Sequence, residues 1–300
     1  MVREISGVFD LFWNGDWSVP ISALVDRPAT PADLEEARTT LRELIAADNY
    51  PYPINQDAAE FKSILKHEID KFVWAPGHLV WADPAEIAAT GRTTRMPELL
   101  YRRVGRLDTE LLIESPYFVP RDRAIDRFKE LREQGVRVRV LTNSLASNDV
   151  LAAHGGYADR RKQVLRSGVE LYELRADAGV IRKRIAFFGA KAALHAKVLV
   201  FDRQDVFIGS LNLDPRSSDI NTEAGLYVES PELAAQVVTW MDEGVLPENS
   251  YRVRLDEDGT VSWVTRDNGR EVVYHRDPES TAWQRFTAGF IGLLPVEDQL

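Results

Sequence analysis

Residues 193–223 gather an imidazole, an ammonium, two carboxylates, a hydroxyl and amides within a short span: His195, Lys197, Asp202, Gly209, Ser210, Asn212 and Glu223. Side chains of an extended strand alternate faces, so His195 and Lys197 share one face if this stretch is a strand. Val198 to Phe201 and Val206 to Ile208 carry the β-branched and aromatic residues of strands. The polar run Asp202-Arg203-Gln204-Asp205 between them predicts a hairpin loop. If Phe201 faces Val206, Lys197 falls opposite Ser210 and His195 opposite Asn212, all on one face. Gly209 would let a backbone or ligand approach closely there. Such a patch suits a phosphate ester: Lys197 and Asn212 neutralise and hydrogen-bond its oxygens, and His195 takes the covalent or proton step. A hairpin with an incidental histidine is the alternative, and several residue types at fixed offsets speak against it.

The pattern His-x-Lys-x4-Asp-x6-Gly-Ser-x-Asn resembles the signature of the phospholipase D superfamily. Four flanks resemble bacterial cardiolipin synthases of that superfamily: Glu114 to Pro120, His154-Gly155-Gly156-Tyr157, Asn221-Thr222-Glu223 and Leu294-Pro295-Val296-Glu297. The resemblance implies an α/β lobe, a mixed β-sheet flanked by helices. It also implies two imidazoles on opposite sides of one phosphorus, a phosphohistidine intermediate, and no metal or cofactor. His195, Lys197 and Asp202 would be the catalytic group, with Ser210 and Asn212 on the substrate phosphate. In two-motif members the first histidine is generally the nucleophile and the second the general acid, the role His195 would take. Glu223 is the candidate to orient His195, although a surface glutamate at a strand end would look the same. Asp202, lying in the turn, is better suited to securing the hairpin than to touching substrate. His154 and Tyr157 would head a helix at the pocket edge, or merely cap it.

Only one such motif occurs. His67, His78, His154 and His275 all lack a lysine two places on. The amphipathic stripe of Ile5, Val8, Phe9, Phe12 and Trp13 predicts a helix over residues 4–17. A similar helix closes the first catalytic lobe in the resembled family. Residues 1–25 are therefore expected to be the remnant of a missing first lobe, 26–95 a mainly helical connector, and 96–300 the lobe with the motif. Thr30 and Pro31 start a connector helix, and residues 58–68 are expected to form another.

Within the lobe, the order is strand at 111–113, helix at 124–131, strand at 136–140, helix at 157–166 and strand at 169–172. That alternation implies right-handed crossovers and a largely parallel, covered sheet. The 194–212 hairpin and a strand at 224–228 extend it. A helix opens at Pro231 after Ser230, and a hairpin spans 251–264. In the closing helix 282–292, Trp283, Phe286 and Phe290 are expected to pack into the core. Arg182, Lys183, Arg184 and Lys191, with Phe187 and Phe188, could form a lip attracting anionic headgroups, or a plain solvated loop.

A chain of 300 residues with a formal charge of -10 can bury a sizeable core and makes a poor polyanion binder. Nucleic acid is therefore not an expected partner. With no cysteine there is neither a disulfide nor a thiolate metal site. No apolar run follows the N-terminus as in a signal peptide, and none is long enough to span a bilayer. The expected setting is cytoplasmic, peripheral to the inner membrane. The expected partners are an anionic glycerophospholipid and a second lobe or a second copy of the chain. The first functional reading is thus one lobe of a phosphatidyltransferase. A homodimeric single-motif phosphodiesterase and a non-catalytic lipid-binding lobe are the rivals.

Overall fold

The computed structural model describes residues 1–47, 72–178 and 193–292, with positions 62, 63, 66 and 69 between the first two segments. Among them, residues 75–178 and 193–292 belong to one compact unit, and residues 2–74 to another.

The smaller unit contains α1 (Val2–Trp13) and α2 (Pro31–Ala47). Its second helix starts as the sequence predicts: Thr30 N–H donates to the Asp33 carboxylate at 2.7 Å and Asp33 N–H returns to Thr30 Oγ1 at 3.3 Å. No residue of α1 is buried. Most of the helix expected over 58–68, the 182–191 loop and the 294–297 stretch lie outside the described residues.

The larger unit is built on one mixed sheet whose strands, from edge to edge, run β1-β7-β6-β5-β2-β3-β4-β8-β9-β10. They are β1 (Gly77–Trp81), β2 (Glu110–Glu114), β3 (Arg137–Asn143), β4 (Glu170–Leu174), β5 (Val198–Phe201), β6 (Asp205–Gly209), β7 (Ala224–Glu229), β8 (Ser250–Leu255), β9 (Val261–Asp267) and β10 (Arg270–Tyr274). β2, β3 and β4 are parallel, linked through α5 (Asp122–Glu133) and α6 (Leu151–Arg166), and the other pairings are antiparallel. The remaining helices are α3 (Pro84–Thr90), α4 (Arg95–Val104), α7 (Pro215–Asp219), α8 (Pro231–Gly244) and α9 (Ala282–Gly292).

β2 is apolar on both faces because both are covered. Leu111 and Ile113 join a cluster with Met96 and Leu100 of α4, Phe128 of α5 and Tyr157 of α6. Leu112 packs with Val198, Val200 and Val206 against Ala234, Val238 and Met241 of α8. Burial of each large apolar side chain is worth about 1.5–3 kcal/mol. These two clusters therefore hold the central strands rigid beneath the loops at their ends. Ser230 caps α8 by accepting from Leu233 N–H at 3.1 Å.

Four expectations are corrected. β1 pairs with β7, so the sheet begins before the boundary expected at residue 96. α6 starts at Leu151, which places His154 and Tyr157 inside the helix rather than at its head. β10 extends the 251–264 hairpin into a meander. The aromatic stripe of α9 is not core: Trp283, Phe286 and Phe290 are 72%, 63% and 56% exposed. Those rings stack on one another at 5.7 and 6.4 Å, while Ala288 of that helix is buried.

Candidate active site

The hairpin forms, one step away from its expected register. Phe201 pairs with Asp205 and Val198 with Ile208, so Lys197 stands opposite Gly209, whose N–H donates to Lys197 O at 3.1 Å. The loop is shorter than expected because Asp202 and Arg203 adopt left-handed backbone conformations, with φ of 51° and 56°. Residues with side chains resist that region. Here the Asp202 carboxylate holds it, accepting from the N–H groups of Asp108, Thr109 and Glu110 at 3.1, 2.8 and 3.0 Å and from Thr109 Oγ1 at 2.9 Å. Burial raises the Asp202 pKa, but these donors outweigh it and leave the carboxyl below its usual range. Five residues of extended chain, about 16 Å, separate Asp202 from Lys197. Asp202 is thus the anchor of the turn, as its place in the hairpin loop suggests.

At the other end of the hairpin the chain leaves the ladder. The close approach permitted by Gly209 is made by β7: a Cβ there would stand 2.5 Å from Ala224 O. Ser210 N–H then donates to Ala224 O at 2.9 Å, and Ser210 Oγ accepts from Ala224 N–H at 3.0 Å. This turn carries Ser210 to the Glu223 carboxylate, to which its hydroxyl donates. Glu223 also accepts from Asn221 Nδ2 at 3.1 Å. Asn212 joins the same chain of polar groups, donating to Ser217 Oγ at 3.5 Å; its own Oδ1 is buried without a hydrogen-bond partner among the described residues.

His195 is exposed, and Lys197 folds back over it. Lys197 Nζ lies 3.2 Å from His195 Nε2 and donates to His195 O at 2.9 Å. Burial holds the Lys197 ammonium below the usual lysine range, and Glu223, Asp149 and Asp214 pull it back up. Those three carboxylates therefore lie within electrostatic reach of Lys197, which joins the two halves of the patch. Glu223, expected to orient His195, is instead engaged by Ser210 and Asn221; among the described residues it makes no hydrogen bond to His195. The patch thus offers one exposed imidazole, one buried ammonium and an amide beside a pre-bonded hydroxyl–carboxylate pair. The chemistry of these groups suits a phosphate ester: cationic and amide donors for its oxygens, and an imidazole that can act as nucleophile or proton carrier.

Several residues at this site were not singled out from the sequence. Asn143, at the carboxyl end of β3, accepts from Leu194 N–H at 2.8 Å and donates to Leu194 O at 3.0 Å. Its signal was positional: a polar residue ending a parallel strand, where open α/β sheets place their ligands. Tyr117 donates to Asp149 at 2.8 Å, and burial, with Asp149 beside it, pushes the phenol up to about 12. Glu114, paired with Val198 across β2 and β5, is pushed up to about 7 by burial, which Arg139 partly counters. Asp214 caps α7, accepting from Ser217 N–H at 2.7 Å, and burial raises its carboxyl despite that bond.

His154 and Tyr157 are not a pocket edge. Both are buried on the inner side of α6, where Tyr157 donates to Glu173 at 2.7 Å and His154 Nε2 lies 3.5 Å from Asp277. Arg161 completes this network, 3.0 Å from both Glu173 and Asp277, and Trp263 Nε1 donates to Glu173 at 2.8 Å. A helix that begins at Leu151 turns those side chains inward, so their role is to tie α6 to β4 and β9.

Residues 103–244 match the family model described as "Cardiolipin synthase, PLD-like domain". The chain is 34% identical over 288 residues to Cardiolipin synthase C of Escherichia coli, covering 93% of this chain and 58% of that protein. It is 27% identical over 151 residues to the probable cardiolipin synthase YwiE of Bacillus subtilis, covering 49% of this chain and 26% of that one. A solved phospholipase D family member, Nuc from Salmonella typhimurium, aligns at 16% identity and a TM-score of 0.42, covering 60% of this chain and 99% of that structure. The match over 103–244 likens this mixed α/β sheet and its hairpin to a phospholipase D-like domain. Over these residues the chain is similar to the bacterial cardiolipin synthases. It spans little more than half the length of the E. coli relative.

Proposed function

We propose that this chain supplies one catalytic lobe of a phosphatidyltransferase that joins anionic glycerophospholipids through a phosphohistidine. The observation that carries this reading is the exposed His195 imidazole with Lys197 Nζ 3.2 Å from its Nε2, the ammonium lying within electrostatic reach of the Glu223 that Ser210 bonds. In the reaction, a ring nitrogen of one histidine attacks phosphorus and a nitrogen–phosphorus bond forms. The bond from phosphorus to the leaving alcohol breaks, and a second imidazole gives that oxygen its proton. The second imidazole then takes the proton of the incoming lipid hydroxyl, whose oxygen displaces the histidine from phosphorus. Lys197 and Asn212 hold the phosphoryl oxygens throughout, and in this chain His195 serves as the acid and base.

The sequence has a single His-x-Lys-x4-Asp motif, so the partner imidazole comes from another lobe or from a second copy of the chain. No helix among the described residues is long and apolar enough to cross a membrane, and in this reading the lobe meets lipid from a peripheral position.

The test is transfer activity of the purified chain in phosphatidylglycerol micelles, with His195→Ala alongside and mass measured by light scattering. The expected result is a folded monomer without turnover. Turnover by a dimer that His195→Ala abolishes would mean that two His195 side chains cooperate, as in a homodimeric phosphodiesterase. Phosphate binding without turnover, even when a lobe with the complementary motif is added, would sink the transferase reading in favour of a binding lobe.

A further inference from the structure

A cavity of about 630 Å³ opens between Arg92–Thr94, α4, the start of α5 and the 213–219 loop. Phe118, Phe128 and Leu213 give it an apolar lining, and Arg92, Arg102 and Arg123 stand around it. Among the described residues none of these three arginines is ion-paired, although Arg123 also lies over the Tyr101 ring at 4.0 Å. The acidic side chains here are mostly engaged: Asp219 pairs with Arg121 at 2.8 Å, and Asp214 caps α7. Glu98 remains as one carboxylate against three guanidinium groups.

Thr93 is the second, independent observation. It lines this cavity and is only 4% exposed, yet its Oγ1 is buried with no hydrogen-bond partner among the described residues. A buried hydroxyl without a partner is unfavourable, and an oxygen-bearing ligand would satisfy it. Guanidinium groups match phosphate oxygens in charge and in paired geometry. An apolar lining suits the glycerol and first acyl carbons of an amphiphile rather than a bare anion. The cavity adjoins the catalytic patch: Leu213 follows Asn212, and Asp214 lines the cavity while acting electrostatically on Lys197.

We propose that this cavity is a second phosphate subsite, taking the headgroup phosphate of the glycerophospholipid that accepts the transferred group. The accepting role rests on the transferase reading. The binding itself does not.

The experiment titrates the full chain, by calorimetry, with dihexanoyl phosphatidylglycerol below its micelle concentration, glycerol 1-phosphate and inorganic phosphate. A Lys197→Met background removes the catalytic ammonium. In it, Arg102→Gln with Arg123→Gln is expected to weaken the short-chain lipid roughly ten-fold, as loss of charge-assisted hydrogen bonds does. Thr93→Val should weaken it in the same direction, so that two differently disturbed proteins report on one site. Unchanged lipid affinity in both variants, with melting temperatures preserved, overturns the subsite. Equal affinity for lipid, glycerol phosphate and inorganic phosphate overturns the assignment to a lipid and leaves a free-phosphate site. Lipid binding that depends on these arginines, with no turnover by the parent chain even when a lobe with the complementary motif is added, defeats the transferase reading alone.

Discussion

The side-chain amide of Asn143 does for Leu194 what a neighbouring strand would do, bonding both its N–H and its carbonyl at 2.8 and 3.0 Å. Leu194 precedes His195 in a stretch outside any strand, so this pair, rather than the sheet ladder, sets where the imidazole sits. Asn143→Ala would leave two backbone groups without partners, at about 1–3 kcal/mol each. The expected loss in a urea titration is about 2–6 kcal/mol. Phosphate affinity at full folding should fall as well, and a variant that keeps it would show that His195 is held by something else.

Lys197 should titrate below the ordinary lysine value of 10.5, since burial disfavours its charge. The protonated ammonium is the anion-binding form, so affinity for inorganic phosphate, followed from pH 8 upward, should decline through a midpoint under 10.5. Lys197→Met should remove that decline and cost roughly ten-fold in affinity at pH 8. A midpoint at or above the ordinary value would contradict the burial account.

Glu114 supplies a stability signature with the opposite sign to most carboxylates. Its folded pKa, about 7, lies above the ordinary 4.5, so between those values the folded chain holds a proton that the unfolded chain has released. Its contribution to stability is intact below pH 4.5 and is lost as pH rises toward 7. Glu114→Gln should therefore match the parent at pH 4 and exceed it at pH 8 by about 1–3 kcal/mol. Chemical denaturation at the two pH values measures this, and equal stability at pH 8 would refute it.

Asp202 offers a separation of stability from chemistry. Asp202→Ala removes the acceptor of three backbone N–H groups and one hydroxyl. The expected cost is about 1–3 kcal/mol of stability. Phosphate affinity per folded molecule should be unchanged. A selective loss of affinity with no change in stability would return Asp202 to the site.

The Arg161–Glu173 pair is buried on both sides and shared with Tyr157 and Trp263. Removing one partner strands the other charge, so Arg161→Met should destabilise by about 3–5 kcal/mol. Phosphate binding by the folded fraction should persist. If it vanished first, His154 and Tyr157 would have to be reconsidered as part of the site.

The residues that carry chemistry were legible because their information is local. The His195-x-Lys197 spacing, the apolar runs on either side of the turn and the Ser230 cap are written along a few residues of chain. The alternation of apolar strands with amphipathic helices over 111–172 likewise implied the parallel β2-β3-β4 core. The register of the β5–β6 hairpin was not legible, because it hangs on a carboxylate reaching back to Asp108, Thr109 and Glu110. Nor was the burial of His154 and Tyr157, which follows from where α6 begins and from Asp277, more than a hundred residues away.

By itself, then, the sequence determined which side chains are present, their local conformations and the class of chemistry they suit. The tertiary structure decided which of them meet. It put Glu223 on Ser210, Asn143 on Leu194 and the aromatic stripe of α9 toward solvent. Periodicity and propensity act over a turn or a strand pair, whereas each of those pairings depends on which distant polar group is left to satisfy once the sheet has closed.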